Sequence, residues 1–320
     1  MKRPTKRFLV WTVARTAVIL MLLACGVIWF LYHSVSQTAA EMYEEVASTS
    51  PVYMSKDIEV KVAKEQVQMN SLAPFTVLVL GVDQREHDRG RSDTMIVLSV
   101  NPAKQSILMF NIPRDTRTDI IGHGTVDKIN HAYAFGGVEM SIRTVEHFLD
   151  YPINYYVKVN MESFAQLIDL IGGVEVNNPF AFDYEGHKFE QGRLVLNGTD
   201  ALKFARMRYD DPRGDLGRNS RQHDILKEIM KKSTSISNVT RLHSLLGELG
   251  DCVKTNLTFD DMKQLATDYR PQLHKIDTIE IQGKGKMIDR IWYYIVDNSE
   301  RIRIHNLLKE HVQKVPANAR

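Results

Sequence analysis

The chain has 320 residues, of which 43% are hydrophobic and 25% are charged; this ordinary globular composition excludes general disorder. Its 41 basic and 39 acidic side chains nearly balance, so no overall field favours nucleic acid or an anionic surface. Any anion site must therefore be local.

The N-terminal segment predicts a membrane anchor. A basic head (residues 1–7) precedes an apolar run (residues 8–32) that only Arg15 interrupts. Such a run spans a bilayer, and the positive-inside rule places the head in the cytoplasm and the rest outside. A cleaved signal peptide would have a shorter apolar region, and a lipidated Cys25 would leave apolar residues exposed after it. The second cysteine, Cys252, is far away, and an external protein without disulfides indicates a bacterium.

Residues 33–73 are polar and predict an extracellular stem with a short helix at 39–46, followed by one domain over 74–312 and a tail over 313–320. Three strand-like segments open the domain: FTVLVLGVD ends at Asp83, DTMIVLSV begins at Asp93, and SILMFNIPRD leads to Arg114. The short links predict antiparallel pairing. Asp83, Asp93 and Arg114 should therefore meet at one edge of the sheet.

The remaining patterns alternate between helix and strand. Helices are predicted at 138–149, 163–173, 200–208, 216–232, 241–252, 259–269 and 298–312, with Asp215 as an N-cap, and extended segments at 155–159, 174–178 and 278–283. This interleaving predicts an α/β fold with a mixed sheet.

Arginines gather around the helix predicted at 216–232. Arg218, Arg221 and Gln222 are spaced i, i+3 and i+4, which predicts one shared helix face. Arg206 and Arg208 end the preceding helix. Guanidinium groups bind phosphate oxygens in pairs and stay charged, and a helix N-terminus adds N–H donors.

The two aspartates extend this interpretation. Asp83 and Asp93 would repel a bound phosphate unless a divalent cation lay between them, and two carboxylates with phosphate and water suit Mg²⁺. The sequence thus predicts a pyrophosphate site with Mg²⁺. The alternative is a solvated network of surface ion pairs.

An apolar helix face allows two interpretations, and several common functional motifs are absent from the sequence. Core packing is the simpler role for Phe164, Leu167, Ile168 and Ile171, and lining a cavity for a lipid tail is the alternative. No zinc-ligand spacing, nucleophile elbow, Walker loop or dinucleotide fingerprint occurs.

Five blocks, in this order, carry a resemblance to a known family: GVDQREHDRGRSDTMIVLSVNP, MFNIPRDT, DKINHAYAFGG, LIDLIGGVEV and LNGTDALKFARMRYDDPRGDLGRNSRQ. Together they resemble the LytR-CpsA-Psr family of bacterial cell-wall enzymes over residues 75–232. The resemblance implies a three-layer α/β/α sandwich behind one transmembrane helix, with an apolar tunnel for a polyprenyl chain. It also implies a phosphotransferase that moves an anionic glycopolymer, above all wall teichoic acid, from a polyprenyl-pyrophosphate carrier to peptidoglycan and releases polyprenyl phosphate.

The family's site carries over to individual positions. Asp83 and Asp93 match metal-binding aspartates for Mg²⁺, with Mn²⁺ as the alternative ion. Further positions match pyrophosphate-binding residues: Arg91, Arg114, Lys128, Arg206, Arg208, Arg218 and Gln222. Asp83, Asp93, Arg91 and Asp215 are the expected catalytic set, and the choice of general base between Asp215 and a metal-site aspartate stays open.

The expected partners are the lipid-linked glycopolymer, the peptidoglycan acceptor and the membrane, but not nucleic acid. The expected location is the cell membrane of a Gram-positive bacterium, with the domain outside. A hydrolase of the same carrier needs the same site and stays open. A membrane-bound transcriptional regulator is disfavoured because the arginine cluster would face away from DNA, and a non-catalytic receptor for the lipid carrier is the third alternative.

Overall fold

The computed structural model describes residues 6–46, 72–83, 90–232, 250 and 253–313. Its helices are α1 (Lys6–Met42), α2 (His131–Leu149), α3 (Met161–Leu170), α4 (Gly198–Arg206), α5 (Asp215–Lys232), α6 (Phe259–Gln264) and α7 (Asn298–Val312). Its strands are β1 (Phe75–Val82), β2 (Ser92–Asn101), β3 (Ser106–Asn111), β4 (Arg117–Ile120), β5 (Thr125–Lys128), β6 (Tyr155–Asn160), β7 (Val174–Asn178), β8 (Phe182–Tyr184), β9 (His187–Phe189), β10 (Gly192–Leu196), β11 (Val253–Thr255), β12 (Lys275–Thr278), β13 (Lys284–Ile288) and β14 (Ile291–Ile295).

The central sheet has the strand order β11-β6-β1-β2-β3-β12. β1 pairs with β2 and β2 with β3 in antiparallel fashion, which confirms the predicted up-down-up start of the domain. β6 and β12 add parallel to β1 and β3, and β11 adds antiparallel to β6. The protein therefore has a mixed α/β fold with a central mixed sheet, as predicted.

Both faces of this sheet are buried because its strands are apolar on both sides. On β1, Leu78 and Leu80 pack toward α2 and α7, whereas Phe75 and Val77 pack on the opposite face with Met230 of α5. Each such side chain contributes about 1.5–3 kcal/mol when it leaves water. Helices on the two faces thus hold the sheet edges in fixed positions for the site.

Helix α1 contains the predicted anchor and continues into the predicted stem. Just after it, Tyr43 bridges to Thr255 of β11, and the Tyr156 hydroxyl donates to the Glu44 carbonyl at 2.8 Å. The first part of the stem therefore lies against the edge of the central sheet.

Among the helices of the described ranges, none is both long enough and apolar enough to cross a bilayer. The anchor over 8–32 and the domain boundaries stay predictions.

Several element boundaries were wrong. The helix predicted at 138–149 matches the second part of α2, which begins after a kink where Gly137 has φ 67° and ψ −149°, whereas the first part, from His131, was not predicted. Strand β12 ends at Thr278, so the stretch TIEIQG lies mostly beyond it. The hairpins β4–β5 and β13–β14 were not predicted. The helix predicted at 241–252 lies outside the described residues except for position 250.

Candidate active site

Strand pairing brings two of the predicted site residues together. β2 begins beside the end of β1, and the Ile112 N–H donates to the Met95 carbonyl at 2.9 Å, which extends the β2–β3 pairing past the end of β3. As a result Arg114 Nη1 lies 3.0 Å from Asp93 Oδ2. Asp83 follows β1 at the same edge, and its Oδ1 lies 3.9 Å from Arg206 Nη2.

A glycine allows the close approach of β1 and β2 at this edge. A Cβ added at Gly81 would lie 2.9 Å from the Thr94 Cβ, closer than carbon atoms pack. The glycine in the GVD block therefore permits the backbone geometry that positions Asp83 and Asp93.

A second carboxylate, Asp115, links Lys128 to the site. Lys128 Nζ lies 2.7 Å from Asp115 Oδ1, and Arg114 Nε lies 3.8 Å from Asp115 Oδ2. Burial lowers the pKa of Arg114, but Asp93 and Asp115 more than offset this effect, so that the pKa is raised. Asp115 was not predicted, although it adjoins Arg114 in the IPRD block.

Asp215 has a different role from the predicted N-cap. It is the first residue of α5, and its Oδ1 lies 2.8 Å from Arg218 Nη2 and 3.5 Å from Arg208 Nε. The carboxylate therefore holds two predicted pyrophosphate ligands at the N-terminus of α5.

Arg218 is the clearest sign that an anion belongs here. It is only 6% exposed, and its Nε has no hydrogen-bond partner among the described residues. Its pKa is lowered, first by burial and then by the nearby Arg114 and Arg208, which oppose the effects of Asp215 and Asp93. A buried, charged donor of this kind is costly unless a ligand satisfies it.

The three residues that were predicted to share one face of α5 contact different partners. Arg221 donates through Nε to the Phe204 carbonyl at 3.0 Å and forms a buried ion pair with Asp211. Gln222 accepts from Asn111 Nδ2 at 3.0 Å. Only Arg218 joins the cluster around Asp215, so the helical spacing alone gave the wrong grouping.

Two further residues lie at the rim. Arg91 is exposed, and its carbonyl accepts the Asp93 N–H at 3.1 Å. Asn130, which was not predicted, donates from Nδ2 to Asp93 Oδ1 at 3.3 Å.

The β13–β14 hairpin adds aromatic rings that nothing in the sequence pattern indicated. The guanidinium carbon of Arg208 lies 6.0 Å from the Trp292 ring centroid, and Lys128 Nζ lies 6.0 Å from that of Tyr293. Rings at such distances stabilise cations. The hairpin therefore helps to fix the positions of two predicted ligands.

A large apolar cavity lies between the sheet and helices α3 and α5. Its volume is about 860 Å³, and Val77 and Val79 of β1 line it together with Ile225 and Met230 of α5. This size lies within the range of ligand sites.

The cavity also settles part of the prediction for α3. Phe164 and Leu167 line it, whereas Ile168 is fully buried and packs with Ile171 in a separate core under β7 and β10. The cavity lining reaches Gly81, Thr94 and Ala205, and the chain neighbours of Thr94 and Ala205 are Asp93 and Arg206.

The residues present fit a hard divalent cation. Asp83 and Asp93 offer carboxylate oxygens at the adjoining ends of β1 and β2. Within the described ranges no three His, Cys, Asp or Glu side chains form a group able to hold a metal, so other ligands would be water and phosphate oxygens, the usual environment of Mg²⁺.

Comparisons with known proteins identify relatives of this chain and similar solved structures. The chain is 42% identical over 313 residues to the polyisoprenyl-teichoic acid–peptidoglycan teichoic acid transferase TagU of Bacillus subtilis, covering 98% of this chain and 99% of that protein. The crystal structure of B. subtilis TagU matches with a TM-score of 0.63 and 46% identity, covering 76% of this chain and 98% of that one. The LytR-CPS2A-psr family protein YwtF (TagT), solved with bound octaprenyl pyrophosphate lipid, matches with a TM-score of 0.59 and 26% identity over 75% of this chain and 90% of that one.

The model of the LytR_cpsA_psr family matches residues 29–310. The chain belongs to the LytR_cpsA_psr family.

Proposed function

We propose that the protein transfers an anionic glycopolymer, wall teichoic acid by the names of its relatives, from a polyprenyl-pyrophosphate carrier to peptidoglycan. The observation that carries this proposal is that the apolar cavity reaches the immediate chain neighbours of Asp93 and Arg206. A lipid chain in the cavity would place its pyrophosphate among the arginines. YwtF (TagT), which binds octaprenyl pyrophosphate, supports the same arrangement.

The chemistry follows from the charges. A hydroxyl oxygen of N-acetylmuramic acid forms a bond to the phosphorus that carries the polymer and gives up its proton to one of the candidate bases, Asp215 or a metal-site aspartate. The bond from this phosphorus to the bridging oxygen breaks and releases polyprenyl phosphate. Arg114, Arg208 and Arg218 offset the charge that develops on the phosphates. Mg²⁺, or Mn²⁺, between Asp83 and Asp93 would supply further charge neutralisation and keep the carboxylates from repelling the phosphates.

We further propose that the apolar run over residues 8–32 anchors the protein in the cell membrane, with the catalytic domain outside. We also propose that this domain is a three-layer α/β/α sandwich. The basic head and apolar run support this topology. An external site would meet both the lipid carrier and peptidoglycan.

The test uses the full chain in detergent micelles with a radiolabelled, polyprenyl-pyrophosphate-linked polymer and peptidoglycan. We expect label in the glycan strands, and Arg114→Met should lower the rate about 10²–10³-fold, the usual effect of removing one group that stabilises transition-state charge. The control is Arg193→Met, because Arg193 is exposed and pairs with Glu175 away from the site. Release of free polymer without any attachment to glycan would instead identify a hydrolase.

A further inference from the structure

A second, smaller pocket lies on another face of α5, next to β3 and β12. Its volume is about 160 Å³. This is well above the ~10–15 Å³ that one water molecule needs and below the ~300 Å³ at which sites for drug-sized ligands begin. The pocket therefore has room for a single small group.

Two deeply buried polar groups in the lining have unpartnered atoms. His223 is 6% exposed and Asn111 is 5% exposed. His223 Nε2 and Asn111 Oδ1 have no hydrogen-bond partner among the described residues. Folded proteins rarely leave buried polar atoms unsatisfied, so these atoms require a hydrogen-bonding partner from outside the chain, either water or a ligand.

The charges of the lining favour a neutral ligand. Burial, with the nearby Lys227, lowers the pKa of His223 to about 4, so the imidazole is uncharged at neutral pH. Lys227 pairs with Asp224 at 3.8 Å, and Glu280 pairs with Arg213 at 3.9 Å. Each charged lining residue thus has an opposite charge beside it, which leaves no net charge to attract an ionic ligand.

The pocket has mixed walls and lies next to the candidate active site. Leu216 and Ile281 provide apolar surface, whereas Ser220 provides a hydroxyl group. Pro113 directly precedes Arg114 and Leu216 directly follows Asp215, and neighbouring Cα atoms are only about 3.8 Å apart. A group joined to a phosphate among the arginines could reach this pocket.

We propose that the pocket binds one neutral sugar ring, with His223 and Asn111 as its hydrogen-bonding residues. A pyranose combines hydroxyl groups with apolar C–H faces, as the walls require. The proposal rests on the transferase function, because both the carrier-linked polymer and the acceptor glycan contain such rings.

Binding can be measured without catalysis, by saturation-transfer NMR of the full chain in micelles with N-acetylglucosamine. We expect wild type to bind the sugar and His223→Leu to bind it at least tenfold more weakly. His305→Leu is the control, since His305 is half-buried and contacts Leu149 elsewhere in the fold. Absence of sugar binding to wild type, or equal binding to His223→Leu, overturns the proposal whether or not the protein proves to be a transferase. Thr278→Trp, at the exposed rim, replaces His223→Leu if that variant does not fold.

Competition then identifies the source of the ring. Displacement of N-acetylglucosamine by a sugar-bearing carrier, but not by bare polyprenyl pyrophosphate, assigns the pocket to the donor. Displacement by a glycan fragment while bare carrier is bound assigns it to the acceptor. Displacement by neither would overturn the proposal.

Discussion

Replacing Arg221 by Met tests whether this arginine stabilises the fold and not the ligand. Its side chain is 3% exposed, and that of its partner Asp211 is 1% exposed. Arg221 also donates to the carbonyls of Phe204 and Met207, so it ties α5 to the end of α4. Methionine fills a similar volume but offers none of these donors.

The expected loss in the free energy of unfolding follows from the groups that would be left without a partner. Asp211 would keep its charge in a buried position and two carbonyls would lose their donor, and breaking a buried ion pair in this way typically costs about 3–5 kcal/mol. Asp211 retains the backbone N–H of Arg213 as a partner at 2.8 Å. We therefore expect the free energy of unfolding to fall by about 3 kcal/mol, the lower end of that range.

Urea unfolding of the full chain in micelles, followed by circular dichroism, measures this difference. Arg213→Met is the matched control, because the Arg213 side chain is 53% exposed and such surface changes stay within about 0.5 kcal/mol. A loss below about 1 kcal/mol for Arg221→Met, or equal losses for both variants, would refute the reasoning.

Two further predictions concern residues outside the cluster of arginines at the candidate phosphate site. Burial raises the pKa of Glu146 to about 7 from its ordinary 4.5; the folded state therefore holds this proton more tightly, and wild-type stability should fall as pH rises from 4.5 to 7. Above this pH range Glu146→Gln should be more stable than wild type by on the order of 1–3 kcal/mol, given ~1.4 kcal/mol per pKa unit, and below it the two proteins should be equally stable. Unfolding measured at pH 4 and at pH 8 checks this expectation. A difference in stability that is the same at both pH values would contradict it. Val79→Trp should obstruct the apolar cavity and raise the KM for a long polyprenyl carrier at least tenfold, because each excluded CH₂ forfeits about 0.8 kcal/mol. Val195→Trp, at a position 71% exposed, is its control, and unchanged kinetics of Val79→Trp would place the lipid elsewhere.

The convergence of Asp93 and Arg114 was predictable because short links leave β1, β2 and β3 little choice of pairing. Strand direction then determines which residues share an edge, and the structure places these two groups 3.0 Å apart. The link from Lys128 through Asp115 was not predictable, because it depends on side-chain direction at a hairpin. Tyr293 reaches the site from a distant hairpin, for which the sequence carries no local signal.

The prediction that Arg218 and Arg221 act together on one face of α5 was wrong for a related reason. A spacing of i, i+3 places Arg218 and Arg221 near one another on a helix, but both side chains are long enough to reach acceptors on different elements. Arg218 finds Asp215 on its own helix, whereas Arg221 reaches back to Asp211 and the end of α4. Sequence spacing describes the helix surface and does not identify which neighbouring element offers the better acceptor.

Helix α5 therefore borders four different environments. Its first turns hold Arg218 without a full set of partners, its middle carries the satisfied Arg221, and its two flanks border the apolar cavity and the polar pocket. The hydrogen bond between Asn111 and Gln222 lies between the cavity and the pocket, since Gln222 lines the first and Asn111 the second. A buried arginine donor without a partner lowers the stability of the free protein. Along α5 this donor lies in the first turns, beside Asp215, whereas the donors of Arg221 bind Asp211 and the end of α4. Phosphate binding at Arg218 would therefore satisfy a group that the fold leaves without a partner, and Arg221 offers no such donor.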